Sequence, residues 1–187
     1  MAVATVETHR WTREEYERLA AKGFFPPGKR VELVEGIIYD MAPQNSPHAT
    51  GLRLSNEALR AIFPADAGYE VRSQLPLALG ENSEPEPDVA VVPGSIRDYA
   101  DHHPATALLV LEIADSSLSY DRERKIPLYA RSEIPEAWLL DLTRGVLEVY
   151  RDPAGGVYQT RTVLRAEDSV APLSRPDQPI RVAELLP

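Results

Sequence analysis

The alternation of apolar and polar positions divides the chain into short segments of distinct period. WTREEYERLAAKG, residues 11–23, carries Trp11, Tyr16 and Leu19 near the helical repeat. Thr12 and Glu15 are spaced as a capping box and Gly23 can close the segment, which predicts a first helix. RVELVEGIIYDMAP reads as two strands about a tight turn at Glu35-Gly36. SPHATGLRLSNEALRAIF sets Leu52, Leu59 and Ile62 among polar residues, the pattern of an amphipathic helix. Beyond Gly68 the period shortens. YEVRSQLPLAL and PDVAVV have strand character, and ATALLVLEIA predicts the most buried strand. YDRERKIPLYARSEI reads as helix, and EAWLLDL with GVLEVYRD as a hairpin about Thr143-Arg144-Gly145. GGVYQTRTVLR adds a strand, and PDQPIRVAELLP closes on a short turn or helix. This order predicts an α/β or mixed α+β architecture, a central mixed sheet flanked by helices, in one domain over residues 1–187.

Composition narrows the function more than the fold. The chain has 187 residues, 43% hydrophobic and 26% charged, in the range of ordinary globular proteins. The absence of cysteine excludes disulfides and thiolate metal sites, and fits a cytoplasmic setting. MAVATVETHR has no apolar signal core, and no run reaches membrane-spanning length, so no membrane association is expected. A formal charge of −9 weighs against any nucleic-acid partner unless local patches or bound cations offset it, and more strongly against an anionic membrane surface.

Two acids have unusual neighbours. Asp88 heads PDVAVV and Glu112 ends ALLVLE, and both strands are too apolar to own a polar face. Their acids are therefore expected at strand ends near one sheet edge, and pairing of the strands would bring them together. Two like charges about 4 Å apart repel by about 1 kcal/mol in water and about 4 kcal/mol at an effective dielectric near 20. A hard divalent cation relieves that repulsion, and Mg²⁺ commonly takes one or two carboxylates with water and phosphate oxygens. The other reading of each acid is a turn cap or an arginine partner. Lys125, early in the following helix, could stabilise an attacking hydroxide or an anionic transition state. It could equally be an exposed lysine paired with Asp121 one helical turn before. Glu84 and Glu86 read as exposed turn residues, though either could stand in for Asp88. His102-His103 lacks a third ligand at suitable spacing and reads as a loop, and Ser116-Ser117 as a helix entry.

R-x-E-L-x-x-G from Arg30 to Gly36, His48 opening a helix, PDVAVV, LVLEIADSS, D-x-x-x-K-x-x-x-Y from Asp121 to Tyr129, and PEAWLLDL occur in succession. Together they resemble the Uma-type putative restriction endonucleases, a bacterial family of the PD-(D/E)XK nuclease superfamily, over roughly residues 10–185. The resemblance implies a restriction-endonuclease-like core and an endonuclease, dependent on Mg²⁺ or Mn²⁺, that hydrolyses DNA phosphodiester bonds. It implies Asp88 and Glu112 as metal ligands, joined by the backbone carbonyl of Ile113. The superfamily lysine slot, two residues after the second acid, holds Ala114, so Lys125 would supply the amine from the helix. Glu35 corresponds to the acid that supplements such sites from the N-terminal region, with Glu32 its close competitor. His48 is a further contributor or a helix-capping histidine. Pro127 is expected to open the helix near Glu123, and Tyr129 to pack the helix on the sheet.

Ala114 and the acidic charge favour a second reading, a catalytically inactive nuclease scaffold serving as a binding or regulatory module. A third is a metal-dependent enzyme acting on a small phosphorylated substrate. A basic rim formed by Arg10, Arg13, Arg53, Arg60, Arg72, Arg97, Arg122 and Arg124 would favour DNA. The apolar residues of LLDLTRGVLEVY exceed what one sheet face needs, which predicts a homodimer surface.

Overall fold

A computed structural model describes residues 7–187. Helix α1 (Arg13–Ala21) starts at Thr12, whose hydroxyl accepts from the Glu15 amide while Glu15 returns a carboxylate to the Thr12 amide. Strands β1 (Val31–Val34) and β2 (Ile37–Asp40) pair antiparallel, with Val34 opposite Ile37. Glu35 and Gly36 turn the chain with φ of 51° and 75°, the two left-handed residues that a tight type I′ hairpin requires. This hairpin stands apart from the main sheet, and the Glu84 amide ties to it by donating to the Leu33 carbonyl at 2.7 Å.

The main sheet runs in chain order: β3 (Tyr69–Ser73), β4 (Val89–Pro93), β5 (Leu109–Ala114), β6 (Glu136–Asp141), β7 (Val146–Ala154) and β8 (Val157–Arg165). Its neighbours are antiparallel except β5 and β6, which are parallel and so need a crossover. The crossover carries α3 (Leu118–Tyr120), a π-helical turn (Asp121–Lys125) and α4 (Ile126–Arg131). In the π turn the Ile126 amide donates to the Asp121 carbonyl, and Pro127, which has no N–H, follows at once. The opening expected near Glu123 is thus a widened turn inside a continuing helix.

One sheet face packs on α2 (Ser46–Ile62) and on the C-terminal segment that contains β9 (Ser169–Val170), β10 (Ile180–Arg181) and a 3-10 turn at Val182–Glu184. The other lies under α4 and the buried Leu77 and Leu79. Burial on both faces explains the unbroken apolar runs of β4 to β6.

Three expectations change. Strand β3 does not continue through LPLAL: Gln74 turns left-handed at φ 53° and Pro76 lacks a donor, so Leu77 and Leu79 fill the core from a loop. Glu112 does not end β5, which runs on to Ala114, so this carboxylate occupies an interior position opposite Leu139. The apolar excess of the β6–β7 hairpin is no outer surface: Trp138, Leu140, Leu147 and Val149 belong to the α2-side core and Leu139 to the other. Among the described residues no helix is long and apolar enough to cross a membrane.

Candidate active site

Antiparallel register sets Val89 opposite Leu111, so the next residues outward, Asp88 and Glu112, meet. The Asp88 amide lies 3.4 Å from Glu112 Oε2, and the Ile113 amide donates to Asp88 Oδ2 at 2.9 Å. Asp88 Oδ1 accepts from Gln74 Nε2 at 3.0 Å, and His48 Nε2 lies 3.1 Å from Asp88 Oδ2. The Asn45 side chain caps α2 by accepting from the His48 amide, which fixes that histidine in the first helical turn. Burial opposes ionisation of Asp88, but His48, Lys125 and Gln74 outweigh it and hold the carboxyl below its ordinary range.

Lys125 is 1% exposed. Its Nζ is 2.9 Å from Glu112 Oε1, 3.4 Å from Glu32 Oε2 and 3.4 Å from the Glu86 carbonyl. Burial alone would depress the amine; Glu112 and Glu32 reverse that and raise it well above the lysine range. Glu112 shows the opposite balance: burial, relieved only in part by Lys125, and the neighbouring Asp121, Asp88 and Glu32 push it up to about 8. Tyr129, expected only to pack the helix, also donates its hydroxyl to Glu112 Oε1. Glu32 is held in turn by Tyr120 Oη at 3.0 Å and the Glu86 amide at 2.9 Å.

Asp88, Glu112, Lys125, His48, Gln74 and Tyr120 border an open cleft between the start of α2, the β5–α3 loop and the π turn, with Glu32 and Tyr129 buried behind it. Its rim adds residues that spacing did not mark. Asp121, read as a simple partner of Lys125, is 4% exposed, accepts from Ser117 Oγ at 2.5 Å, and is pushed by burial up to about 6. Ser117 therefore enters the helix by donating to a carboxylate and does not cap backbone amides. Arg30 lines the cleft and pairs with Glu86 at 2.8 Å, so Glu86 is not a free turn residue. Glu84 is buried at 5% exposure and pushed up to about 7 by burial and by Glu17. No pattern in the chain marks these last contacts, since they span distant segments.

Glu35 is not brought to this cluster. Its carboxylate pairs with Arg131 at 2.6 Å and is 41% exposed, because its residue is used as the left-handed corner of the hairpin. Glu32, fully buried on β1, is the acid the fold delivers. Five of the eight arginines singled out as a rim are scattered, which does not favour DNA. Arg10 donates to the Glu35 carbonyl, Arg13 to Gly80 and Arg60 to Val71, while Arg53 pairs with Glu57 and Arg72 with Glu70. His102 bonds Asp101 in an exposed loop, as its sequence suggested.

Among the described residues no three Asp, Glu or His side chains already surround a common point. Asp88 and Glu112 are the two adjoining carboxylates that could hold a divalent ion, with solvent and substrate oxygens completing its shell, a division typical of Mg²⁺. An all-oxygen donor set of two carboxylates at the edge of an open cleft fits such an ion.

The sequence profile of the family Uma2, described as a putative restriction endonuclease, matches residues 13–182. No curated protein matches the chain. A crystal structure described as a putative nuclease belonging to DUF820 from Anabaena variabilis is similar in fold, with a TM-score of 0.75 at 17% identity. That similarity covers 94% of this chain and 97% of the other.

Proposed function

The chain belongs to the Uma2 family of putative restriction endonucleases, and from that premise we propose that it is a metal-dependent endonuclease hydrolysing DNA phosphodiester bonds in the cytoplasm. The observation that carries the reading is the meeting of Asp88 and Glu112 across β4 and β5, in an open cleft, with the buried Lys125 amine 2.9 Å from Glu112. Asp88 and Glu112, with the Ile113 carbonyl, would hold Mg²⁺ or Mn²⁺. The bound ion supplies a more acidic water and positive charge toward the scissile phosphate. Gln74, His48 and the Ile113 amide fix the Asp88 carboxylate, and Tyr129 and Lys125 fix Glu112, so neither reorients as substrate enters. Lys125 offsets charge among the acids, and Arg30, 39% exposed with one N–H on Glu86, has donors free to meet a phosphate oxygen. Glu35 has no part in this scheme.

The test is cleavage of duplex DNA with Mg²⁺ or Mn²⁺ by the native chain and by Asp88→Asn, Glu112→Gln and Lys125→Ala. Loss on the order of 10²-fold in each variant is expected. A second reading, an inactive nuclease scaffold that binds or regulates, draws on buried Ala114 in the usual lysine slot and on Lys125, whose donors already face Glu112, Glu32 and Glu86. Metal binding and DNA binding by the native chain without cutting under any metal would select it.

A further inference from the structure

Glu148 lies on β7 opposite Leu139, which on its other side is opposite Glu112. At the usual strand spacing this puts Glu148 about 10 Å from Glu112 along one row of the sheet. Glu148 is fully buried, yet it gathers three arginines from three elements. Arg122 of the π turn meets it with Nη2 at 2.6 Å and Nε at 3.3 Å, and Arg161 of β8 with Nη2 at 2.8 Å. Arg144 of the β6–β7 turn stands 3.9 Å from both Glu148 and Asp141. Tyr150 donates its hydroxyl to Glu148 at 2.5 Å, completing the anchor.

The carboxylate is saturated before the guanidiniums are. Each guanidinium has five N–H donors in a planar fork, and Glu148 engages two from Arg122 and one from Arg161. The side chains of Arg122, Arg161 and Arg144 are 34%, 46% and 56% exposed, so their remaining donors reach solvent. Arg165 shares a surface depression with Arg144. Four arginines thus face two buried acids and Glu167, which lines the same depression, a small local positive surplus on a chain of net charge −9.

The cluster is tied to the cleft at two points. Arg122 directly follows Asp121, which lines the cleft. Arg144 directly follows Thr143, whose hydroxyl reaches the carbonyl of Asp115, another cleft-lining residue, at 3.5 Å. We propose that Arg122, Arg144 and Arg161, held in a fixed array by buried Glu148, form the docking surface for the phosphate backbone of the DNA strand leaving the cleft. The assignment rests on the nuclease reading. Guanidinium forks suit backbone phosphates, and such contacts position a duplex without reading its bases.

The experiment is binding of a short fluorescent duplex by anisotropy, over a series of salt concentrations, with EDTA so that no strand is cut. Arg144→Glu/Arg161→Glu is expected to weaken binding at least tenfold. Removal of two phosphate contacts should flatten the log–log salt slope by about 2. The milder Arg144→Ala, at the most exposed of the three, should flatten it by about 1 and guards against a folding defect in the double variant. Mg²⁺ binding measured by calorimetry should persist in both. Equal affinity and slope in native and variant chains would overturn the docking surface and leave the cleft's nuclease role standing. A native chain that neither binds nor cuts duplex, with Mg²⁺ restored, would overturn both.

Discussion

Glu112 and Glu148 occupy one row of the sheet, both opposite Leu139, and both are buried. Their neighbours give them opposite chemistry. Glu112 has one lysine among Asp88, Asp121 and Glu32, and burial pushes it up to about 8. For Glu148 burial also acts upward, but hydrogen bonds from Arg122, Tyr150 and Arg161 hold it down at about 2. The first is a carboxyl whose ionisation burial and neighbouring acids oppose. The second is an anion already satisfied, whose arginines are left with donors to spare. Burial alone does not mark a chemical site; the ratio of charges around the buried group does.

The sharpest way to break this contrast is Lys125→Met. It leaves Glu32, and Glu112 once ionised, without their cation, and stability should fall by about 3–5 kcal/mol at about pH 9.5, above the Glu112 value of about 8. At pH 5 the loss should be smaller, because Glu112 takes up a proton. Urea unfolding at the two pH values reads the difference; an equal loss would mean that Glu112 is neutral throughout. Next is metal affinity. Ligation requires the Glu112 carboxylate, and Glu112 sheds its proton as pH rises toward about 8. Mg²⁺ affinity should rise on the order of tenfold from pH 6 to 8, with proton release visible as a buffer-dependent calorimetric enthalpy. A flat profile would contradict the raised Glu112.

Glu148→Gln probes the other side. A carboxyl lowered from 4.5 to about 2 stabilises the fold above its unfolded value and loses that contribution as pH falls through 2. The variant should therefore cost about 2 kcal/mol at pH 7, and the gap to the native chain should close toward pH 2. Smallest is Glu35→Ala. Its exposed pair with Arg131 is worth less than about 0.5 kcal/mol, and Mg²⁺ binding should not change. A loss of metal binding there would return Glu35 to the site in place of Glu32.

What could be read from the chain followed the range of each interaction. The capping box of Thr12 and Glu15 and the Glu35-Gly36 corner are local, and both formed as expected. Asp88 and Glu112 stand out in the chain because they bound apolar runs, although the extension of β5 to Ala114 places Glu112 inside the strand. The choice between Glu32 and Glu35 was not legible, since hairpin geometry, and no periodicity, commits one of them to the corner. Lys125 could be named, but its reach depends on the π turn. Arg30 with Glu86, and Glu148 with its arginines, follow from pairings across distant strands that no local pattern records.

The single parallel step between β5 and β6 has a kinetic consequence. Strands β6, β7 and β8 are joined by short turns and can zip together through local contacts. The cleft needs segments far apart in the chain: Tyr120, which lines it, and Glu32, which holds Tyr120 from behind, are separated by 88 residues. Contacts of long sequence separation form late because loop closure must precede them. The meander should therefore gain hydrogen-exchange protection before the cleft does, so that the chain acquires its scaffold first and its reactive carboxylates only when nearly complete.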